Sequence, residues 1–369
     1  MRTPRYQEIA DALRHEIRRH TFPQDRLPSE RELGDRFHVQ RDTVRRALEL
    51  LEAENTIRRD SRRGTFIVRQ ATPYGDLPLS SLPSGNLILA VRHGEEATSA
   101  AHILRGMTSV ATELGLPVLW LDTLPKEAPA GGRLPSLDQL MSRRALGVAL
   151  WPELPADRTS LQALRDTLPF VLLDRRVPGF AADFLGFADF RGGETITRHL
   201  LSLGHRSIGF LSSEPLSHTV QERVRGYRHA LSNAGIAFRG RWELHARIQM
   251  LSDDPLLDFL DGDGSPLTAV VCANDTVAAR LIGRLGKLRR RVPEDVAVTG
   301  FGNAMSPFLE GLGLTTMAQP FARLGEEAAR YLLRRLLATP AAADAGREIE
   351  LPMELTVRTS CGHGVLTPP

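Results

Sequence analysis

Two arginines near the amino terminus, Arg41 and Arg45, are four residues apart, so on a helix they lie on one face. Arginine presents a planar fork of N–H donors that fits phosphate oxygens and the edge of guanine. The first 69 residues hold 16 arginines and 12 acidic residues, whereas the remainder holds 31 basic and 32 acidic residues. This excess favours a nucleic-acid partner, and a solvated basic face on a small helical domain is the alternative.

The elements that must position these arginines are three helices and a hairpin. Apolar spacing predicts a first helix within 6–17, and a Ser-x-x-Glu capping box begins a second helix over 29–37. A third helix with an inward apolar stripe covers 40–55. Two strand-like runs follow at 56–58 and 65–68. This order predicts a winged helix-turn-helix whose third helix enters the major groove.

A second domain follows a linker. Residues 70–86 are rich in Pro, Ser and Gly, so we predict domains at 1–69 and 87–369. Beyond the linker, short apolar runs alternate with helix-length segments, which predicts a doubly wound α/β region with parallel sheets covered by helices on both faces. The runs are 87–91, 117–121, 146–150, 169–174, 207–211, 268–273 and 296–301. The length suits two lobes with a ligand crevice between them.

The composition argues against several other classes of protein. The two cysteines, Cys272 and Cys361, are too few for a disulfide framework or a metal cluster. No stretch has the length and apolar character of a membrane span or a signal core. Nucleophile-elbow and phosphate-loop motifs are absent from the sequence. We therefore predict a cytoplasmic protein that is not an enzyme and carries no metal or cofactor. A solute-binding protein or an enzyme with an accessory nucleic-acid-binding head is the alternative.

Residues 6–68 resemble the winged helix-turn-helix of GntR-family regulators. The resemblance rests on "LPSERELGDRF" at 27–37, "RDTVRRALELLE" at 41–52 and "GTFIV" at 64–68. Together with the position of the wing, it implies DNA contacts from Arg31, Gln40, Arg41, Thr43, Arg45, Arg63, Gly64 and Thr65. Gln40 stands where the family usually has Ser or Thr, and this departure is expected to alter base preference.

Residues 87–358 resemble the effector domain of LacI/GalR repressors, which has a periplasmic-binding-protein-like fold of two lobes. Among the matching segments are "ERVRGYRHALSNAGI" at 222–236, "LTAVVCANDTVAARLI" at 267–282 and "VPEDVAVTGF" at 292–301. The resemblance implies ligand contacts from His93, Asp174, Phe187, Arg223, Asn274, Asp275, Gln319 and Phe321. A structural ion pair is the alternative for Arg223, and a helix cap is the alternative for Asp275.

One departure bears on the ligand. After "VAVTGF" the family usually has Asp, and this chain has Gly302 followed by Asn303. The loss of a carboxylate weakens the assignment of a simple sugar, unless Asn303 takes its place. The combination of a GntR-type head with a LacI/GalR-type domain resembles the arabinose repressors of bacilli. We therefore predict a homodimeric repressor that binds an inverted-repeat operator in double-stranded DNA and responds to a small-molecule effector, a sugar or a related metabolite.

Overall fold

The computed structural model divides the chain into two compact units, Met1–Leu77 and Pro78–Pro369. The division falls within 70–86, where the linker is predicted. The structure describes residues 5–18, 27–53, 57–60, 64–67, 83–91, 97–122, 134–152, 156–213, 217–304, 311–337 and 347–362. Two predicted site residues, Arg63 and His93, lie outside the described residues.

The first unit is a three-helix domain with a short hairpin. It contains α1 (Arg5–Arg18), α2 (Glu30–Phe37), α3 (Arg41–Ala53) and the antiparallel strands β1 (Ile57–Asp60) and β2 (Gly64–Ile67). The predicted capping box is present, because the Ser29 amide donates to the Glu32 carboxylate at 2.7 Å and the Glu32 amide donates to Ser29 Oγ at 3.3 Å. Apolar side chains from all three helices and β1 form the core. The predicted helix, helix, helix, hairpin order is confirmed.

The second unit alternates strands and helices. Its strands are β3 (Asn86–Val91), β4 (Val118–Asp122), β5 (Ala145–Trp151), β6 (Phe170–Leu173), β7 (Phe184–Phe187), β8 (Ile208–Ser212), β9 (Glu243–His245), β10 (Ala269–Cys272), β11 (Ala297–Gly302), β12 (Thr315–Ala318), β13 (Glu348–Leu351) and β14 (Glu354–Thr356). Its helices are α4 (Ala97–Glu113), α5 (Leu137–Ser142), α6 (Arg158–Thr167), α7 (Asp189–Ser202), α8 (His218–Asn233), α9 (Asp253–Asp261), α10 (Asp275–Lys287) and α11 (Phe321–Leu337). None of the helices in the described parts of the chain is both long and apolar enough to cross a bilayer.

Two six-stranded sheets define two lobes. The amino-terminal lobe has the strand order β13-β7-β6-β5-β3-β4, and the carboxyl-terminal lobe has the order β14-β12-β11-β10-β8-β9. Neighbouring strands are parallel throughout except for β14, which is antiparallel to β12. The chain changes lobes after β7, returns after β12 and changes again after β13, so three segments join the lobes. The predicted doubly wound, two-lobed α/β architecture is confirmed.

Glycine permits a close helix contact in each lobe. In the amino-terminal lobe α4 packs on α11, and a Cβ at Gly106 would lie 1.8 Å from the carbonyl oxygen of Ala322. In the carboxyl-terminal lobe α7 packs on α8, and a Cβ at Gly193 would lie 2.1 Å from the carbonyl oxygen of Arg223. Backbones at this separation leave no room for a side chain. These two crossings therefore fix how closely each helix pair approaches.

Candidate DNA-reading surface and effector cleft

The start of α3 presents exposed arginines on the first unit. The side chains of Arg41 and Arg45 are 71% and 46% exposed, and Thr43 between them is half-buried. Gln40 is exposed just before the helix, and Arg31 is exposed in the first turn of α2. The predicted recognition residues of the two helices are thus at the surface, with forked donors available to a groove or a phosphate.

A carboxylate that sequence reasoning missed holds three arginines of this surface. Glu30 Oε2 accepts from Arg41 Nε at 2.7 Å and lies 3.9 Å from Arg45 Nη2, while Oε1 accepts from Arg59 on β1. The hydrogen bond from Arg41 lowers the pKa of Glu30, so the carboxylate stays charged. Glu30 therefore ties α2, α3 and the wing into one charged cluster. The sequence did not predict this role of Glu30, because Glu30 and Arg59 are 29 residues apart.

The wing is connected to the helices through its backbone. Gly64 begins β2 with φ at 103°, a left-handed conformation that favours glycine, and pairs with Asp60. Thr65 is half-buried, and its carbonyl accepts from the amide of Leu27 at 3.0 Å. This bond ties the hairpin to the segment that leads into α2. Gly64 and Thr65 therefore shape the wing, and contact with DNA remains a prediction for them.

We expect Glu30→Ala to lower the preference for operator over random duplex by about tenfold, because Arg41 and Arg45 lose the partner that orients them. Binding to random duplex should rise slightly, since a negative charge near phosphate is removed. Competition binding with duplexes selected from a random library measures both quantities. Glu49→Ala is the control, because it removes the same charge from an exposed position on α3. Equal selectivity of the two variants would contradict the orienting role of Glu30.

The second unit has a cleft of about 170 Å³ between its lobes. The cleft lies at the carboxyl ends of β5, β6, β8, β10 and β11 and at the first turns of α4, α8, α10 and α11. Ligands of open α/β sheets bind at such strand ends, where helix amino termini also offer free N–H groups. Among the predicted ligand residues, those that line the cleft are Asp174, Arg223, Asn274, Asp275, Gln319 and Phe321.

Arg223 is held firmly in the wall of the cleft. It is 4% exposed; its Nε donates to Asp189 Oδ1 at 2.7 Å and its Nη1 donates to the carbonyl oxygen of Ala273 at 2.5 Å. The guanidinium also lies over the ring of Phe301, 4.5 Å from its centroid. Burial raises the pKa of Asp189, while the charge of Arg223 opposes that rise. The ion pair that was the alternative prediction for Arg223 is therefore present. Arg223 Nη2 forms no hydrogen bond to any described residue.

Asn274 and Asp275 have different structural roles at the start of α10. Asn274 Oδ1 accepts from the Val277 amide at 2.8 Å, so Asn274, rather than Asp275, caps the helix. Asp275 is buried; it accepts from Thr316 Oγ1 and from the Asn303 amide, each at 2.6 Å. Burial raises the pKa of Asp275 despite these bonds. Its carboxylate joins β11, β12 and α10 at the floor of the cleft.

The position that lacks the family carboxylate lies beside Asp275. Gly302 has φ at 134°, and a Cβ there would be 3.3 Å from Asp275 Oδ2. Asn303 does not supply the missing acceptor, because its Oδ1 accepts from Arg358 Nη2 at 2.8 Å and the residue is not among those that line the cleft. Among the described residues, the carboxylate nearest to Gly302 is therefore that of Asp275, in the first turn of α10.

Aromatic rings form one side of the cleft. Trp151 at the end of β5 stacks on Phe321, with centroids 6.1 Å apart and planes at 26°. Phe187 packs edge-on against Phe321, with ring centroids 5.3 Å apart. Phe187 is not among the residues that line the cleft. Phe187 therefore supports Phe321. Trp151, Arg175 and the hydroxyl residues Thr98, Ser99, Ser212 and Thr219 line the cleft without having been predicted.

A hydrogen bond joins the two lobes at the cleft. Thr219, in the first turn of α8, donates from Oγ1 to the carbonyl oxygen of Asp174 at 2.9 Å. Asp174 follows β6 in the amino-terminal lobe, whereas α8 belongs to the carboxyl-terminal lobe. The lobes are thus in contact at the cleft as well as through the three connecting segments.

A basic winged helix-turn-helix joined to a two-lobed domain with a polar cleft defines a class of protein, the ligand-responsive transcriptional regulators. Residues 5–67 match the sequence model of the bacterial regulatory proteins of the gntR family, and residues 197–361 match that of the periplasmic binding protein-like domain. The chain is therefore a transcriptional regulator with a gntR-family helix-turn-helix domain and a periplasmic binding protein-like domain.

The chain is similar to proteins that are named as repressors and to a solved regulator structure. The chain is 27% identical over 322 residues to the arabinose metabolism transcriptional repressor of Halalkalibacterium halodurans, covering 85% of this chain and 84% of that protein. It is 33% identical over 226 residues to the HTH-type transcriptional repressor PurR of Mannheimia succiniciproducens, covering 61% and 66% respectively. The crystal structure of the transcription regulator GntR from Chromobacterium violaceum superposes with a TM-score of 0.59 at 28% identity, covering 75% of this chain and 99% of that one.

Proposed function

We propose that the chain is a repressor whose affinity for operator DNA falls when a small polar metabolite occupies the cleft. The observation that carries the proposal is the polar cleft between two lobes in the same chain as a gntR-family head. The similarity to an arabinose metabolism repressor, over 85% of this chain, supports it. We assign ligand binding rather than catalysis to the cleft, because the relatives are named as repressors.

The DNA side of the proposal assigns base contacts to the exposed start of α3. Arg41, Thr43 and Arg45 would enter the major groove, and the wing at Gly64 would approach the phosphates. Two copies of the chain would pair and bind the half-sites of an inverted repeat, because the symmetry of a dimer is mirrored in its operator. The site of action would be the cytoplasm, where the chromosome is.

The ligand side assigns hydrogen bonds to the polar groups of the cleft. Arg223 Nη2 and the amide groups of Asn274 and Gln319 would contact ligand oxygens, with Phe321 against an apolar face. The Asp275 carboxylate would accept from a ligand hydroxyl beside Gly302, where the family carboxylate is missing. A sugar-like effector fits this set, and a relative named for arabinose metabolism supports the same class. Binding would change DNA affinity by the difference in ligand affinity between the two states of the protein.

The test of the proposal is operator selection by the full chain. Arg45→Ala should weaken binding to the selected duplex about 10- to 100-fold, because a forked arginine contact with a base discriminates by about 1–3 kcal/mol. Arg36→Ala removes the same charge from α2, where the side chain pairs with Glu16, and should change selectivity little. Footprinting and competition binding measure both variants. A chain that selects no duplex over random competitor would disprove the proposal.

A further inference from the structure

The carboxylate of Asp275 lies against two glycines of β11 at the floor of the cleft. A Cβ at Gly300 would lie 2.3 Å from Asp275 Oδ1, and a Cβ at Gly302 would lie 3.3 Å from Oδ2. Positions 300 and 302 are on the same face of the strand, so the lack of a side chain at both makes the space that the carboxylate occupies. Asp275 lines the cleft at this point.

One donor holds each oxygen of this carboxylate. Oδ1 accepts from Thr316 Oγ1 and Oδ2 accepts from the Asn303 amide, each at 2.6 Å. A carboxylate oxygen can accept two hydrogen bonds, so each oxygen keeps a lone pair for a further donor. Asn303 itself is not among the residues that line the cleft. The backbone of Asn303 therefore fixes the orientation of Asp275 without meeting a ligand.

Arg358, which follows β14, fixes Asn303 in turn. Its Nη2 donates to Asn303 Oδ1 at 2.8 Å, and its Nη1 donates to the carbonyl oxygen of Leu314 at 2.6 Å. The backbone amide of Arg358 donates to Thr315 Oγ1 at 2.9 Å, which anchors the residue to β12. Asn303 has a left-handed backbone, with φ at 54°, and a residue with a side chain needs support to keep this conformation. The two donors of the guanidinium supply that support.

The charge of Arg358 also acts on Asp275. Burial raises the pKa of Asp275, and its two hydrogen bonds oppose this rise. The positive charges of Arg223, on α8, and of Arg358 oppose it further. The Cys272 thiol, at the end of β10, also faces the carboxylate, and burial raises the pKa of this thiol so that it stays neutral. Arg358 is not among the residues that line the cleft, so it favours the ionised form of Asp275 from behind the cleft wall.

We propose that Arg358 is a positioning residue for effector recognition, which acts through Asn303 to hold the Asp275 carboxylate toward the cleft beside Gly302. The inference rests on the proposed function, in which Asp275 accepts a hydrogen bond from the effector. It goes further, because it assigns this recognition in part to a side chain that does not contact the ligand. Arg358 is 55 residues after Asn303, and no motif of the sequence gave it a role.

The first experiment follows Asp275 in the full-length chain without a ligand. Aspartate labelled with ¹³C at the side-chain carboxyl gives one resonance per residue, and the resonance lost in Asp275→Asn belongs to Asp275. Arg358→Met should raise the pKa of Asp275, because a positive charge and the anchor of Asn303 are lost. Arg284→Met is the matched control and should leave this pKa unchanged. The Arg284 guanidinium also donates to two backbone carbonyls, but it lies near the end of α10 and does not line the cleft.

The second experiment measures the binding of L-arabinose and D-ribose by titration calorimetry. At pH 7 Arg358→Met should bind a sugar about 3- to 10-fold more weakly than the wild type, because the hydrogen bond to Asp275 loses its alignment. Arg284→Met should bind the sugar as the wild type does. Asn303→Ala is a second test of the same link if Arg358→Met does not fold. It removes the acceptor of Arg358 Nη2, so it should also weaken binding.

The pH profile of sugar affinity separates positioning from a loss of structure. The sugar hydroxyl donates to the ionised carboxylate, so affinity falls as protons bind to Asp275 at low pH. In Arg358→Met this fall should occur at a higher pH than in the wild type. Arg358→Lys keeps the charge but lacks the planar fork, so it should restore the pH profile without restoring the full affinity at pH 7. A variant that is only less stable would not move the profile.

The outcomes separate the inference from the function on which it rests. An unchanged pKa of Asp275 in Arg358→Met would overturn the inference and leave an effector-binding regulator. A raised pKa with the sugar affinity and pH profile of the wild type would overturn it too, because Arg358 would then have no part in recognition. If neither sugar binds the wild type and neither releases DNA, the proposed sugar response fails, and the carboxyl titration alone decides whether Arg358 positions Asp275.

Discussion

Arg223→Ala is expected to abolish the effector response and to destabilise the second unit by about 3–5 kcal/mol at pH 8. The substitution leaves Asp189 buried without its guanidinium partner, and an unpaired buried charge carries a cost of that size. It also removes the donor to the carbonyl of Ala273 and the cation over Phe301. Chemical denaturation and ligand-dependent DNA release measure the two effects separately.

The destabilisation by Arg223→Ala should grow with pH. Burial raises the pKa of Asp189 above its unfolded value, and loss of Arg223 removes an interaction that lowers this pKa. The folded variant therefore binds more protons than the unfolded chain between the two pKa values, so its stability falls as pH rises through that range. At pH 5 the carboxyl of Asp189 can be neutral, and the difference from the wild type should be smaller than at pH 8.

Two further variants separate stability from ligand recognition. Arg223→Ala combined with Asp189→Asn removes both charges, so it should recover most of the lost stability without recovering the effector response. Arg225 lies two residues further along α8, and its exposed side chain pairs with Glu222. Arg225→Ala should therefore change the stability of the protein by less than about 1 kcal/mol. A folded Arg223→Ala protein that still responds normally to effector would show that the arginine is structural only.

Gly193→Ala is expected to destabilise the carboxyl-terminal lobe by about 3 kcal/mol. The new methyl group would lie 2.1 Å from the carbonyl oxygen of Arg223, and the obstacle is backbone that cannot rotate away. α7 and α8 would have to separate, and overpacking of this kind costs about 1–3 kcal/mol or more. Because α8 carries Arg223 and Thr219 into the cleft, the variant should also bind effector more weakly. Urea denaturation and effector titration measure the two effects.

The chain offers matched controls for this glycine. Gly283 and Gly286 are exposed in α10, and nothing lies within 4 Å of a Cβ at either position. Replacing each by alanine should stabilise the protein by about 0.5–1 kcal/mol, since alanine has less conformational freedom to lose in a helix. If Gly193→Ala behaved like these controls, the close approach of α7 and α8 would not be a constraint.

The architecture was predictable from the sequence because apolar runs and helix-capping motifs depend on residues that are close together in the chain. The runs that became β5, β8, β10 and β11 are apolar on both faces, as a sheet covered by helices on both sides requires. The capping box at Ser29 located the start of α2. The strands β7, β9, β12, β13 and β14 were not predicted, because pairing with distant segments decides their conformation.

The sites were predictable only in part. The resemblance to the LacI/GalR effector domain correctly predicted that Arg223, Gln319 and Phe321 line the cleft. It could not show that Phe187 packs against Phe321 without lining the cleft. Trp151 was missed because a tryptophan that ends an apolar strand looks like a core residue. Only the fold shows that this residue lines the cleft.

The last strands of the chain have a consequence for biosynthesis. β13 is the edge strand of the amino-terminal lobe, and β14 is the edge strand of the carboxyl-terminal lobe. Both come from residues 348–356, so neither sheet can gain its edge strand until the ribosome has translated this segment. The winged head, in contrast, is built from consecutive segments and can fold while the ribosome is still making the remainder. A nascent chain stalled before residue 348 would therefore carry a complete DNA-binding head attached to two unfinished lobes.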